Sequence, residues 1–186
     1  MNDAETYVEN YLRSLLPDFQ RKGLGQSVTE LNVWEKVLIY KYSLDGYESL
    51  NKALRRGKPH PMERLLNEAL AKLPDFEDVV FRGADLGESK KQFYKQAFEN
   101  QEVFTEPAFL SASKFMSIAN MYSRGNCIFH IDSLHGKSIE ELAFFGVGSG
   151  QNEREILFRS SSRFLITGLA EIEGLTQFTV KEIDQP

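Results

Sequence analysis

Apolar positions recur at helical spacing through the first 75 residues and then change texture. Tyr7, Tyr11, Leu12, Leu15 and Leu16 predict a helix over residues 4–16, ended by Pro17. After a polar, Gly-containing segment, Thr29 offers an N-cap, and Leu31, Trp34, Val37, Leu38 and Tyr42 form a second amphipathic face that Asp45-Gly46 should break. Tyr47, Leu50, Asn51 and Leu54 give a third, shorter helix stopping at Arg55-Arg56-Gly57. Pro61 is placed to open a fourth, carried by Leu65, Leu66, Leu70 and Leu73 and closed by Pro74. Beyond Pro74 the β-branched and aromatic runs at 79–83, 126–131, 153–159, 163–173 and 177–183 predict strands. Residues 108–113 read as extended, 90–98 and 115–122 as helices, and 145–151 as a mobile Gly-rich loop. Helices followed by strands predict an α+β fold, with residues 1–75 packed on a β-rich core at 76–186 as one domain.

Composition narrows the classes. Of 186 residues 41% are hydrophobic and 26% charged, the balance of a soluble globular chain. A net charge of −5 disfavours nucleic acid and anionic membrane as partners. Cys127 is the single cysteine, so an internal disulfide and a Cys-based zinc site are both excluded. The stretch Met1-Asn2-Asp3-Ala4-Glu5 is acidic rather than leader-like, and no apolar run reaches membrane-spanning length. The expectation is a chain made in the cytoplasm and, if it acts in another cell, delivered without a Sec-type signal. His60, His130 and His135 lack metal-ligand spacing, so no metal is expected. The loop Gly146-Val147-Gly148-Ser149-Gly150 fails the dinucleotide fingerprint, because the third glycine is replaced by Gln151 and a strand follows. Ser160-Ser161-Ser162 reads as a hairpin turn.

Three features remain. Arg82 and Gly83 end an apolar strand, Ser111-Ala112-Ser113 follows an aromatic residue in an extended run, and Glu153 and Glu155 open a strand two residues apart. Strand alternation would put both glutamates on one face, and like charges sharing a face favour a cleft over a core. The trio suits a pyridine dinucleotide: a guanidinium fork for phosphate, a hydroxyl to orient a carboxylate, and a carboxylate to stabilise an oxocarbenium ion.

In this order, with the segment Tyr40–Arg55 upstream, the motifs resemble those of the R-S-E class of mono-ADP-ribosyltransferases, the clostridial, iota-toxin-like and phage-type enzymes. The resemblance spans about residues 29–172 and implies a mostly antiparallel, two-sheet core. It implies NAD as co-substrate, bound by Arg82, Gly83, Ser111 and Glu155. Arg82, Ser111, Glu153 and Glu155 would carry catalysis: Glu155 on the nicotinamide ribose, Ser111 orienting it, and Glu153 on the acceptor. Glu at position 153 implies an arginine of a target protein as acceptor. Phe144, Phe145 and Gln151 would belong to a substrate-recognising loop. Ser-Ala-Ser departs from the family's commoner Ser-Thr-Ser, which matters little if Ala112 points away from Ser111. Asn51 and Arg55 are read as a helix cap and surface charge rather than as cavity lining. A cognate immunity or inhibitor protein is a further expected partner. NAD glycohydrolysis, and an inactive NAD-fold module that binds a partner, are the competing readings.

Overall fold

The computed structural model describes residues 3–184. Its helical part begins with α1 (Asp3–Tyr11), a 3-10 turn (Arg13–Leu15) and α2 (Leu16–Lys22). Pro17 therefore does not end a run; it occupies the first turn of α2, where a missing N–H costs nothing. Helix α3 (Val33–Lys41) is capped by Asn32 rather than Thr29. Asn32 Oδ1 accepts from the backbone N–H groups of Trp34 and Glu35 at 3.0 Å each, and Asn32 N–H donates to Glu35 at 3.0 Å, a complete capping box. Asp45-Gly46 does not break the helix either. Residues Tyr42–Gly46 form a π-helical turn that leads directly into α4 (Tyr47–Leu54). Gly46 fits there because a Cβ would stand 2.9 Å from the Lys41 carbonyl. Helix α5 (Pro61–Ala71) starts at Pro61 as predicted.

The strands are β1 (Val79–Ala84), β2 (Val103–Glu106), β3 (Leu110–Ser113), β4 (Cys127–Asp132), β5 (Lys137–Ser138), β6 (Glu155–Phe158), β7 (Ser162–Ile172) and β8 (Leu175–Ile183). Helices α6 (Glu88–Glu99) and α7 (Met116–Ser123) interrupt them. The predicted strands leave out β2 and β5, the two edges of the sheet, where β2 is mostly unburied and β5 has only two residues. The order is β2-β7-β8-β4-β1-β3-β6-β5, antiparallel except for β4 with β8. The two sheets expected are thus joined into one ladder, but only by a single pair, Phe81 with Ser113. That pinch separates a five-strand half from a three-strand half. Strands β6 and β7 lie in different halves, so the Ser160–Ser162 turn is a crossover, not a hairpin.

Two apolar clusters hold this arrangement. The helices pack through Val37, Leu38, Leu50, Leu66 and Leu70 onto Phe109 and Leu157, while Ile156 and Phe158 turn to a second cluster with Phe129, Phe164 and Phe178. Strand β6 is therefore buried on both faces, which explains its unbroken apolar run. Buried Lys137 joins core and helices by donating to the Leu73 carbonyl at 2.7 Å and to Asp75 at 2.6 Å.

Candidate active site

A cavity of about 740 Å³ opens where β1 and β3 splay at the pinch, with α4 and α7 along its sides. That volume lies within the range of small-molecule sites. Arg82, Gly83, Ser111, Glu153, Glu155 and Phe145 all line it, so residues up to 73 positions apart (from 82 to 155) converge. Phe144 and Gln151 do not. Phe144 packs against Tyr40 in the helical core with ring centroids 6.0 Å apart, and Gln151 is solvent-exposed.

Glu155 sits on β6 opposite Ser113 and is 8% exposed. Burial raises its pKa to about 7; Glu153 pushes the same way, while the Ser111 hydroxyl and Arg82 oppose it. Arg82 donates Nη1–H to the Ser111 carbonyl at 2.6 Å, locking the end of β1 to β3. Burial, then the neighbouring Arg55, depress the pKa of Arg82. The two serines divide their work. Ser111 lines the cavity beside Glu155 and favours its charged form, and Ser113 Oγ donates to the Glu153 carbonyl at 2.7 Å. Ala112 between them packs into the second apolar cluster.

Glu153 is not in the strand. Arg154 has φ +52°, and Lys114 N–H bonds its carbonyl, so the backbone turns just before β6 begins. The two glutamates share the cavity because of this turn, not because of strand alternation. The loop before them is fastened at its base. Buried Glu140 receives Asn152 at 2.7 Å, Arg154 at 2.5 Å and Lys114 at 3.1 Å. Burial works against the Glu140 charge, but these partners outweigh it and hold the carboxyl below its usual pKa. Gly146 serves close approach rather than motion: a Cβ would stand 2.0 Å from the Glu140 carbonyl.

Asn51 and Arg55 both line the cavity: Asn51 is buried rather than a cap, while Arg55 is the exposed charge expected, set at the cavity's rim. Asn51 donates to the Tyr42 hydroxyl at 3.1 Å and accepts from Phe109 N–H at 3.1 Å, fixing α4 to the strand that carries Ser111. Arg55 pairs with buried Glu106 at 3.0 Å, which keeps a second cation beside Arg82. Residues missed in the sequence are Tyr42, Tyr47, Glu48, Tyr122 and Glu140. Tyr42, Tyr47 and Glu48 lie in the segment Tyr40–Arg55 on which the resemblance partly rests, and with Asn51 they share one continuous helical stretch that the predicted break at Asp45-Gly46 concealed. Among the described residues no three His, Cys, Asp or Glu side chains gather to hold a metal ion. No helix among the described residues is long and apolar enough to cross a membrane.

This architecture is shared with solved ADP-ribosyltransferases. The chain superposes on ADP-ribosyltransferase HopU1 of Pseudomonas syringae with a TM-score of 0.78 at 21% identity, covering 92% of this chain and 87% of that one. Exoenzyme S of Pseudomonas aeruginosa, solved with Carba-NAD and human 14-3-3 protein beta, matches at TM-score 0.77 and 20% identity, over 97% and 86% of the two chains. ADP-ribosyltransferase Vis in complex with agmatine matches at 0.68 and 22%, over 95% and 86%. In sequence, the chain is 33% identical over 130 residues to Mav of Mycobacterium avium, assigned by name to the NAD(+)–arginine ADP-ribosyltransferases. It is 32% identical over 145 residues to NAD(+)–protein-arginine ADP-ribosyltransferase Tre1 of Pseudomonas putida. These matches cover 67% and 75% of this chain but only 15% and 27% of those relatives. No family model matches the chain.

Proposed function

We propose that the chain is an NAD-dependent mono-ADP-ribosyltransferase of the R-S-E class that moves ADP-ribose onto an arginine of a target protein. The observation that carries this reading is the pair of unlike glutamates in one cavity: Glu155 buried on the floor beside Arg82 and Ser111, Glu153 held by its backbone at the mouth. The likeness to Tre1 and Mav in sequence, and to agmatine-bound Vis in fold, supports arginine as the acceptor.

The residues present suit NAD as substrate. Arg82 and Arg55 place two cations at one side of the cavity, fit for a pyrophosphate. The bond from nicotinamide nitrogen to the anomeric carbon breaks, and its electron pair leaves with nicotinamide. Positive charge grows on the ribose, and the Glu155 carboxylate stabilises it from a site shielded from water. The acceptor nitrogen then bonds the anomeric carbon and gives up one proton, which Glu153 takes. Burial keeps part of the Glu155 population protonated near neutrality, so the ionised form that stabilises this charge increases as pH rises through about 7.

Incubation with labelled NAD and agmatine tests the reading. Labelled agmatine with release of nicotinamide is expected. Nicotinamide release without labelled acceptor would assign a glycohydrolase, and no NAD consumption an inactive binding module. A protein target, a cognate inhibitor and delivery into another cell belong to the same proposal; labelling of lysate proteins followed by mass spectrometry identifies the first.

A further inference from the structure

Two tyrosines reach the cavity mouth from different helices. Tyr47 begins α4 and is 42% exposed; Tyr122 lies near the end of α7 and is 53% exposed. Both line the cavity together with Glu153. The Tyr122 hydroxyl donates to Glu153 Oε1. The backbone of the same glutamate is held on both sides, by Ser113 Oγ at its carbonyl and by the Phe145 carbonyl, 2.8 Å from its N–H. Glu153 is therefore fixed everywhere except at its second carboxylate oxygen. The ring of Tyr47 leans edge-on against buried Tyr42, with centroids 6.4 Å apart, and so keeps its place at the mouth.

Helix α7 reaches this position because of Gly83. A Cβ on Gly83 would lie 1.8 Å from the Ala119 carbonyl and 2.6 Å from the Ser123 nitrogen, so α7 rests directly on β1. The glycine beside Arg82 thus works as a seat for the helix that carries Tyr122.

Resting on the transferase reading above, we propose that Tyr122 positions Glu153 and that Tyr122 and Tyr47 together form the seat of the acceptor guanidinium. The hydroxyl holds Oε1 and leaves Oε2 to receive the proton of the attacking nitrogen. The two ring faces cover the planar, weakly hydrated cation, an arrangement that suits a guanidinium better than an ammonium. The acceptor this mouth selects is an arginine side chain long enough to pass between two rings.

The test uses the full chain with NAD, measuring kcat and KM for agmatine alongside NAD hydrolysis in the absence of acceptor. Tyr122→Phe keeps the ring and loses the hydrogen bond; transfer kcat should fall about 10-fold more than hydrolysis does, with a smaller change in agmatine KM. Tyr47→Ala should raise agmatine KM about 3- to 10-fold, and Tyr47→Phe should restore it. Wild-type kcat and KM in Tyr122→Phe, or equal loss of transfer and hydrolysis in it, would overturn the positioning role. An unchanged KM in Tyr47→Ala would overturn the seat. A wild-type chain that cleaves NAD and labels agmatine while these variants behave like it leaves the transferase reading standing and removes only this inference. A wild-type chain that consumes no NAD overturns both.

Discussion

Floor and mouth of the cavity differ in how each holds a carboxylate. Glu155 is part of a strand, 8% exposed, and its charge is opposed by burial. Glu153, two residues earlier, sits on a turn and is only partly buried, and its backbone and one oxygen are tied by neighbours. The floor is rigid because the sheet makes it so. The mouth is rigid only as far as Glu140, Ser113 and Tyr122 fasten it. This division lets the mouth vary without disturbing the floor.

The largest expected effect is on the floor. Glu155→Ala should reduce both transfer and NAD hydrolysis by about 10³-fold, the scale of losing a preorganised charge at a developing cation; wild-type rates from stopped-flow or nicotinamide-release assays would remove Glu155 from catalysis. Glu155→Gln should also stabilise the fold. The folded pKa of about 7 exceeds the ordinary 4.5, so the folded state binds the proton more tightly, and the charge costs stability increasingly as pH rises from 4.5 to 7. Above pH 7 that cost reaches roughly 3 kcal/mol. Glu155→Gln should therefore raise Tm by several degrees at pH 8 and leave it nearly unchanged at pH 4. Equal shifts at both pH values would show that the carboxylate is not the source.

At the mouth, Glu153→Gln should lower transfer to agmatine about 100-fold more than it lowers NAD hydrolysis; parallel loss would erase the distinction between the two glutamates. Between floor and mouth stands Gly83. Gly83→Ala should destabilise the protein by about 1–3 kcal/mol in chemical denaturation, because α7 must lift off β1. An unperturbed midpoint would mean the helix is not seated there. The smallest effect links the two regions. Glu153 raises the pKa of Glu155, so Glu153→Gln should move the rising limb of the NAD-hydrolysis pH profile, centred near 7, toward acid by a fraction of a unit.

The same division governs what could be read from the chain. The four helical regions of the first 75 residues, the strand at 79–83 and the long strands after 160 follow from periodicity, because each buries one continuous face or two. Arg82, Ser111 and Glu155 were legible as a group because each lies on or beside a strand with a distinct residue pattern. The errors cluster at boundaries. Thr29 and Asn32 are both good caps, and only the Glu35 side chain reaching back selects Asn32. Asp45-Gly46 looks like a stop, yet packing of Tyr42 and Leu50 carries the helix through it as a π-turn.

By itself, then, the sequence determined the α+β class and the broad succession of helices and strands, and it singled out Arg82, Ser111 and Glu155, which line one cavity. Local propensity and residue type are enough for that. Only the tertiary structure decided that β1 and β3 meet at a single pair, that α7 lies on Gly83 and carries Tyr122 to Glu153, and that Asn51 and Arg55 face the cavity. It also decided the character of the two glutamates. Their charges are identical in the chain, and what separates them is burial, which depends on every segment that packs around β6 and on none of the residues beside it alone.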